Sequence, residues 1–444
     1  MRKGLVAHTH DWGFIFAADS DEVSPMSAAE KQVLIVGGGL AGLACAIRLH
    51  EAGARPLIFE AGDGVGGRVR TDEVEGFLLD RGFQVFLDAY PEAGTLLDMK
   101  NLDLRAFKPG ALIYQPSGMR RIMDVFREPR HLVESALAPV GSFADKLRVA
   151  TLRWRLMRSS TATIAANEDI STESYLKRLG FSSRMINGFF RSFYGGIFLE
   201  RELRTSSRMF EFTFKMFSQG SATLPARGMG EIPRQLALRL PPDTVRLGAR
   251  VVEISPRSIT LDSGETFPGH AVVVATDATA AADFTETTAP HWRSVACLYF
   301  AAPRSPLGEA IIALNGSGSG LVNNVCAPSD VAPGYAPSGQ ALISVSVLGS
   351  PDPADLEARV VAELESWFGR QVREWRHLRT YQIDRALPVQ LPVDGLTGSG
   401  YREKSGILLC GDHHWSASIE GAIISGQRAA DAILKSSSSP LQTP

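Results

Sequence analysis

The chain has 444 residues, a net charge of −2 at neutral pH, 44% hydrophobic and 21% charged residues, which suits a globular protein of two domains or one large two-lobed unit. The near-neutral balance excludes general affinity for nucleic acid, and no run of about 18 apolar residues reads as a membrane span. Cys45, Cys297, Cys326 and Cys410 lie far apart with no C-x-x-C pair, which argues against a disulfide framework or zinc cluster and for a reducing cytoplasm, with Cys45 and Cys410 as core thiols.

Residues 1–29 read as an extension. They lack the apolar core of a signal peptide, and Met26-Ser27-Ala28-Ala29-Glu30 makes a natural start before the first strand. His8 and His10 form an H-x-H pair, but no further ligand set accompanies them, so no metal site is expected. Val33-Leu34-Ile35-Val36 reads as a buried parallel strand. It runs straight into Gly37-Gly38-Gly39-Leu40-Ala41-Gly42, a G-x-G-x-x-G turn, and then an apolar helix through His50. In this pattern Gly37 allows the tight turn, Gly39 lets the backbone approach a pyrophosphate, and Gly42 lets the helix pack closely on the strand. The helix N-terminus favours phosphate. Leu57-Ile58-Phe59 is the second strand, and Glu60 at its end is placed to accept from ribose hydroxyls. Strand, turn, helix and acid together predict a dinucleotide site.

Gly64-Val65-Gly66-Gly67-Arg68 follows, with backbone free to fold round an anion and an arginine fork to meet a phosphate. A second phosphate-facing loop suits the long FAD molecule better than a nicotinamide dinucleotide. With Gly82 in Leu79-Asp80-Arg81-Gly82-Phe83-Gln84, this opening resembles the flavin-dependent family of amine oxidases, protoporphyrinogen oxidases and phytoene-type carotenoid desaturases. Three later segments continue the resemblance: Pro225 to Pro233, Arg250 to Ile254, and Cys410-Gly411-Asp412 with Ser418 to Gly426.

The resemblance implies an α/β fold: an FAD-binding Rossmann-like domain of the GR2 type, with a parallel sheet, plus an inserted α+β substrate domain. The FAD domain is expected to be discontinuous, from residues 30–90, 221–284 and 400–435. It includes a hairpin at Asp262-Ser263-Gly264-Glu265 and the strand Ala271 to Ala275. Residues 91–220 and 285–399 form the cap, and 436–444 a disordered tail. The implied FAD contacts begin with Gly37, Gly39, Leu40, Ala41 and Gly42. They continue through Glu60, Ala61, Gly66, Gly67 and Arg68, then Gly82, Phe83 and Gln84. Val251 is implied at the adenine, and Gly411, Asp412, Ser418, Ile419 and Ala422 along the flavin. No cysteine matches the covalent attachment point of monoamine oxidases, so FAD is expected to be non-covalent.

Departures from the family's patterns bear on substrate. The stretch Arg293 to Phe300 has no lysine, which amine oxidases place near flavin N5. Ser418 stands at a position that is often aromatic in those enzymes. Ala417-Ser418-Ile419-Glu420-Gly421-Ala422 looks more like the desaturase form, although the spacing from Asp412 to Glu420 is shorter than usual. His413 and His414 fill that short loop and are candidates for proton transfer. Phe189 to Phe198 could line an apolar tunnel or simply be core, with Tyr194 as the candidate that reaches a cavity. From Arg120 to Arg158, nine Lys or Arg alternate with apolar residues. That segment reads either as a solvated face or as a peripheral membrane contact, as in family desaturases.

The sequence therefore predicts an FAD-dependent oxidoreductase. It would pass a hydride from a lipophilic, isoprenoid- or carotenoid-like molecule to flavin N5 and hand electrons to a quinone or O2. An amine or protoporphyrinogen oxidase, and a redox-neutral isomerase or non-catalytic FAD-binding protein, stay open as alternatives.

Overall fold

The computed structural model describes residues 32–286, 288–392 and 400–438. The extension 1–29 with His8 and His10, and the tail beyond Ser438, lie outside them. The last helix, Ile419–Ser438, runs three residues into the segment expected as tail.

The apolar tetrad Val33 to Val36 forms the strand Gln32–Val36, fully paired in parallel with Arg55–Phe59 on one side and Ala271–Val274 on the other. Val245–Arg246 and Ile407–Leu409 extend this sheet in parallel, and Arg402–Lys404 closes its edge antiparallel. The sheet thus collects chain from before, between and after the two inserts. Helix Leu40–Glu51 covers one face, with Leu43, Ala44 and Ile47 buried. Each fully buried Leu or Ile contributes roughly 1.5–3 kcal/mol. The meander Val251–Ser255, Ser258–Leu261, Thr266–Pro268 covers the other face and contains the expected hairpin.

The inserts meet in a seven-stranded mixed sheet. Its order is Arg376–Pro388, Trp292–Ala302, Ala341–Leu348, Val322–Cys326, Ile312–Asn315, Gly110–Gln115, Gly118–Met123. Helix Leu356–Phe368 packs on one face through Leu356, Val360, Leu364 and Trp367. The helices between Phe143 and Gln219 lie towards the other. All four cysteines are free and buried, and burial pushes the Cys410 thiol up to about 12. No helix among the described residues is long and apolar enough to cross a membrane.

The two parts are tied by Asp80, at the end of the strand Phe77–Asp80. Its Oδ1 accepts from Thr71 Oγ1 (2.5 Å) and Met229 N (2.9 Å), and its Oδ2 from Tyr335 Oη (2.9 Å). Tyr299 Oη donates to its carbonyl (2.9 Å). Burial dominates and raises the Asp80 carboxyl to about 6, against the pull of these donors. The folded chain therefore binds this proton more tightly than the unfolded chain does. The stability involved is fully present below about pH 4 and lost as pH rises through about 6, roughly 3 kcal/mol in all. Asp80→Asn should match the wild type near pH 4 and melt progressively higher than it up to pH 7. Thermal melts across that range check this; a gap that stays constant or shrinks would refute it.

Candidate functional site

Three glycines create the first wall of the site. A Cβ on Gly37 would lie 2.8 Å from the Ala275 carbonyl oxygen, and one on Gly42 would collide with the Gly37 carbonyl. These two positions are closed by the protein itself. A Cβ on Gly39 would meet nothing within 4 Å; it faces open space in front of the first turn of helix Leu40–Glu51. The Gly66 amide donates to Gly38 O (2.8 Å), which lays the second glycine loop against the first.

That space belongs to a cavity of about 1320 Å³ running from the six-stranded sheet into the cap. Every residue expected at the cofactor lines it except Gly42, which packs the helix against the strand. Val251 stands at one end beside Ala249 and Arg250. Gly411, Asp412, Ser418, Ile419 and Ala422 stand along another wall.

Several side chains are engaged differently from the sequence expectation. Glu60 has its oxygens on backbone amides, Oε2 on Gly38 N and Oε1 on Gly62 N, each 2.7 Å. It shapes the loop as well as offering its remaining lone pairs. Arg68 does not hold its fork free for phosphate. It donates to Asp412 Oδ1 (2.7 Å) and Ala386 O (3.1 Å), and its guanidinium lies over the Trp292 ring at 5.5 Å. Burial would raise the Asp412 carboxyl. The Arg68 charge and hydrogen bond outweigh that and hold it well below the usual carboxylate range. Ser418 Oγ accepts from Gly421 N (3.0 Å) and pairs with Ser416 Oγ, opening the last helix.

The two histidines are the main correction. Neither His413 nor His414 lines the cavity. Gly411, at φ +156°, turns the chain so that the His413 ring packs back against it, and the two rings meet tilted at 45°, 4.1 Å apart, behind the wall. Burial, then the His413 charge, pushes His414 down to about 3. His413 Nδ1 lies 3.8 Å from Asp412 Oδ1. Tyr194 does reach the cavity, with its ring among Phe190, Phe193, Phe198 and Phe210. Burial raises its phenol far above the ordinary value, so it stays protonated. Phe189 and Phe193 line the cavity as a stacked pair, whereas Phe190 is core.

Residues 40–434 match the family described as flavin containing amine oxidoreductase. The chain belongs to that family. It is similar to protoporphyrinogen oxidase 2 of Arabidopsis thaliana, 28% identical over 168 residues that cover 37% of this chain and 32% of the relative. Its likeness to the 15-cis-phytoene desaturase of Capsicum annuum is 22% identity over 474 residues, covering 95% of this chain and 80% of the relative. A solved structure of an oxidoreductase from Methanosarcina mazei has the same fold, with TM-score 0.69 at 16% identity, over 91% of this chain and 100% of that one. The chain spans between 24% and 32% of the length of the first curated relatives it matches.

The family's flavin cofactor, as FAD, fits the residues present. The open face at Gly39 and the adjoining helix N-terminus would take the pyrophosphate, Glu60 the ribose and Val251 the adenine end. None of the described cysteines lines the cavity, which suits non-covalent binding. Sequence reasoning missed Asp277, Arg293 and Gln390, which also line this space. Only Asp277, an acid just past a buried strand and at the N-cap of helix Ala278–Thr285, carried a legible signal.

Gly39→Ala should leave the melting of the flavin-free protein within about 1 °C of wild type yet abolish flavin retention, because the added carbon meets cofactor and not protein. Gly42→Ala should destabilise the fold itself. Glu60→Ala should weaken FAD by about 1–3 kcal/mol. Flavin fluorescence after gel filtration reads all three; full retention by Gly39→Ala would refute the placement of the pyrophosphate.

Proposed function

We propose that this chain is an FAD-dependent oxidoreductase that dehydrogenates a lipophilic, isoprenoid-like molecule. The observation that carries this reading is the continuity of one cavity from the Gly39 turn into an apolar cap. When bound, FAD supplies a two-electron acceptor at N5. The chain's own part is to bind, to orient and to exclude water. Phe189, Phe193, Ile197, Phe214 and Phe217 present apolar surface to the substrate half. The acids on the wall are occupied: Glu60 by backbone amides, Asp124 by Arg153, Asp412 by Arg68, and Asp277 by the amides of its own helix. Tyr194 keeps its proton. Such a wall supports hydride removal from a hydrocarbon, whose resulting cation gives up its neighbouring proton to an acceptor as weak as water, better than chemistry that requires a strong base.

The mouth of the cap supports a membrane as the source of substrate. Leu132, Val133, Leu137, Phe143, Leu147 and Trp154 are each more than half exposed, and Leu132, Phe143 and Leu147 also line the cavity. The basic character expected of 120–158 is reduced, because Arg121 pairs with Glu309, Arg153 with Asp124 and Arg155 with Glu211. Attachment would then rest mainly on apolar insertion.

The purified protein should carry an oxidised flavin spectrum, and its reduced form should persist in air, as suits a quinone-type acceptor. Rapid reoxidation with peroxide would favour an amine or porphyrinogen oxidase, and turnover with no change in substrate oxidation state would favour an isomerase. Sedimentation with phosphatidylcholine vesicles should fall at least fivefold in the triple variant Leu137→Ser, Phe143→Ser, Leu147→Ser at unchanged flavin content. Equal sedimentation would rule out this face as the contact.

A further inference from the structure

Arg293, on the cavity wall, keeps its donors largely uncommitted. Arg293 is the second residue of the strand Trp292–Ala302 and lines the cavity. Its ion-pair partner among the described residues is Glu200, at 3.5 Å from Oε2, and its guanidinium makes no closer polar contact there. Four other cations on the same wall are firmly paired with carboxylates: Arg68 with Asp412, Arg81 with Asp72, Lys108 with Glu309 and Arg153 with Asp124, at 2.5–2.8 Å.

Glu200 is built in with care. Its side chain is 1% exposed. Oε1 accepts from the Thr205 amide (2.7 Å) and hydroxyl (2.8 Å), whereas Oε2 is buried and accepts no hydrogen bond. A buried carboxylate oxygen left without a donor is costly and rare. The backbone on either side is strained: Leu199 and Leu203 hold φ of +52° and +56°, a region that leucine avoids. The chain just past this hook is tied to the cofactor wall. Ser206 N donates to Gln390 O, and the Gln390 side chain accepts from Ala417 N and donates to Trp415 O. Arg293 itself faces Leu387 in the sheet register, one residue from the Ala386 carbonyl that Arg68 engages. The Glu200–Arg293 pair therefore sits where the apolar cap meets the wall carrying Asp412 and Ser418.

We propose that Arg293 anchors a carboxylate on the substrate, with Glu200 as the counter-charge behind it, so that the substrate class is an amphipathic acid: a long apolar skeleton with a carboxylate end. This deepens the reading above and rests on it. The planar guanidinium fork matches a carboxylate with two parallel hydrogen bonds. Beside the phenylalanine and aliphatic side chains of the cap, a neutral hydrocarbon would leave those donors unsatisfied, at a cost in affinity. An anchored end also fixes which carbons of the skeleton lie against the cofactor wall.

The test is titration of the flavin-loaded protein at pH 8 with dodecanoate and with 1-dodecanol, following the perturbation of the flavin absorption bands. Dodecanoate should bind about tenfold tighter than the alcohol, or better. Arg293→Met should remove that preference, leave the alcohol within twofold of wild type and retain full flavin content. Arg293→Lys, which keeps the charge and loses the fork, should keep part of it. Equal binding of acid and alcohol by the wild type, binding of neither, or an unchanged preference in Arg293→Met would overturn the proposal. So would selective loss of flavin from Arg293→Met, which would make Arg293 a cofactor contact. A wild-type chain that takes up no flavin overturns the underlying reading, and the proposal with it.

Discussion

The site depends on backbone meeting backbone at a junction where no side chain fits. The strand Gln32–Val36 can turn into helix Leu40–Glu51 only because Gly42 lies against the Gly37 carbonyl and Gly37 against Ala275 O. A third approach joins it, with the final helix crossing so closely that a Cβ on Gly426 would strike Ala41 O. Elements from the start, middle and end of the chain thus converge on one turn. Their proximity leaves Gly39 as the open face of the junction, and the cavity begins there.

The carboxylates around that opening are occupied. Glu60 is held by two amides, Asp412 by Arg68, and Asp277 caps its own helix. Glu420 uses both oxygens on the amides of Glu92 and Ala93, capping the helix Pro91–Leu96 and joining the last helix to the cap. In a low-dielectric interior, paired groups of this kind rigidify the wall, whereas a free one would impose a pKa shift or a solvent channel. The loose Glu200–Arg293 pair stands out against that background.

The cap follows a different logic. Its sheet is buried on both faces along Ala341–Leu348, and its helices turn aromatic side chains inward. A π-helical turn at Ile186–Phe190 precedes the helix Arg191–Phe198, and with it Phe189 and Phe193 come to stack on the cavity side. Such turns shift side-chain direction within a helix and are frequent at functional sites. The same region presents its apolar exterior at the cavity mouth.

What was legible in the chain was local. The strand–turn–helix at residues 33–50, the paired glycines at 66 and 67, and the Asp412 and Ser418 segment carry their geometry in adjacent residues, because phosphate binding needs glycine and a helix N-terminus within a few positions. The buried strand at Ala271 and the hairpin at Gly264 were readable for the same reason. Tertiary structure alone decided how side chains far apart in sequence divide their partners. Arg68 is drawn to Asp412, 344 positions away. His413 and His414 turn behind the wall although their position in the motif points to catalysis. Arg293 is left open because its counter-charge comes from a strained hook in the other insert. A periodic pattern states which face of an element is buried; the partner of a charge is set by which distant backbone brings one within about 3 Å, and that is a property of the assembled fold.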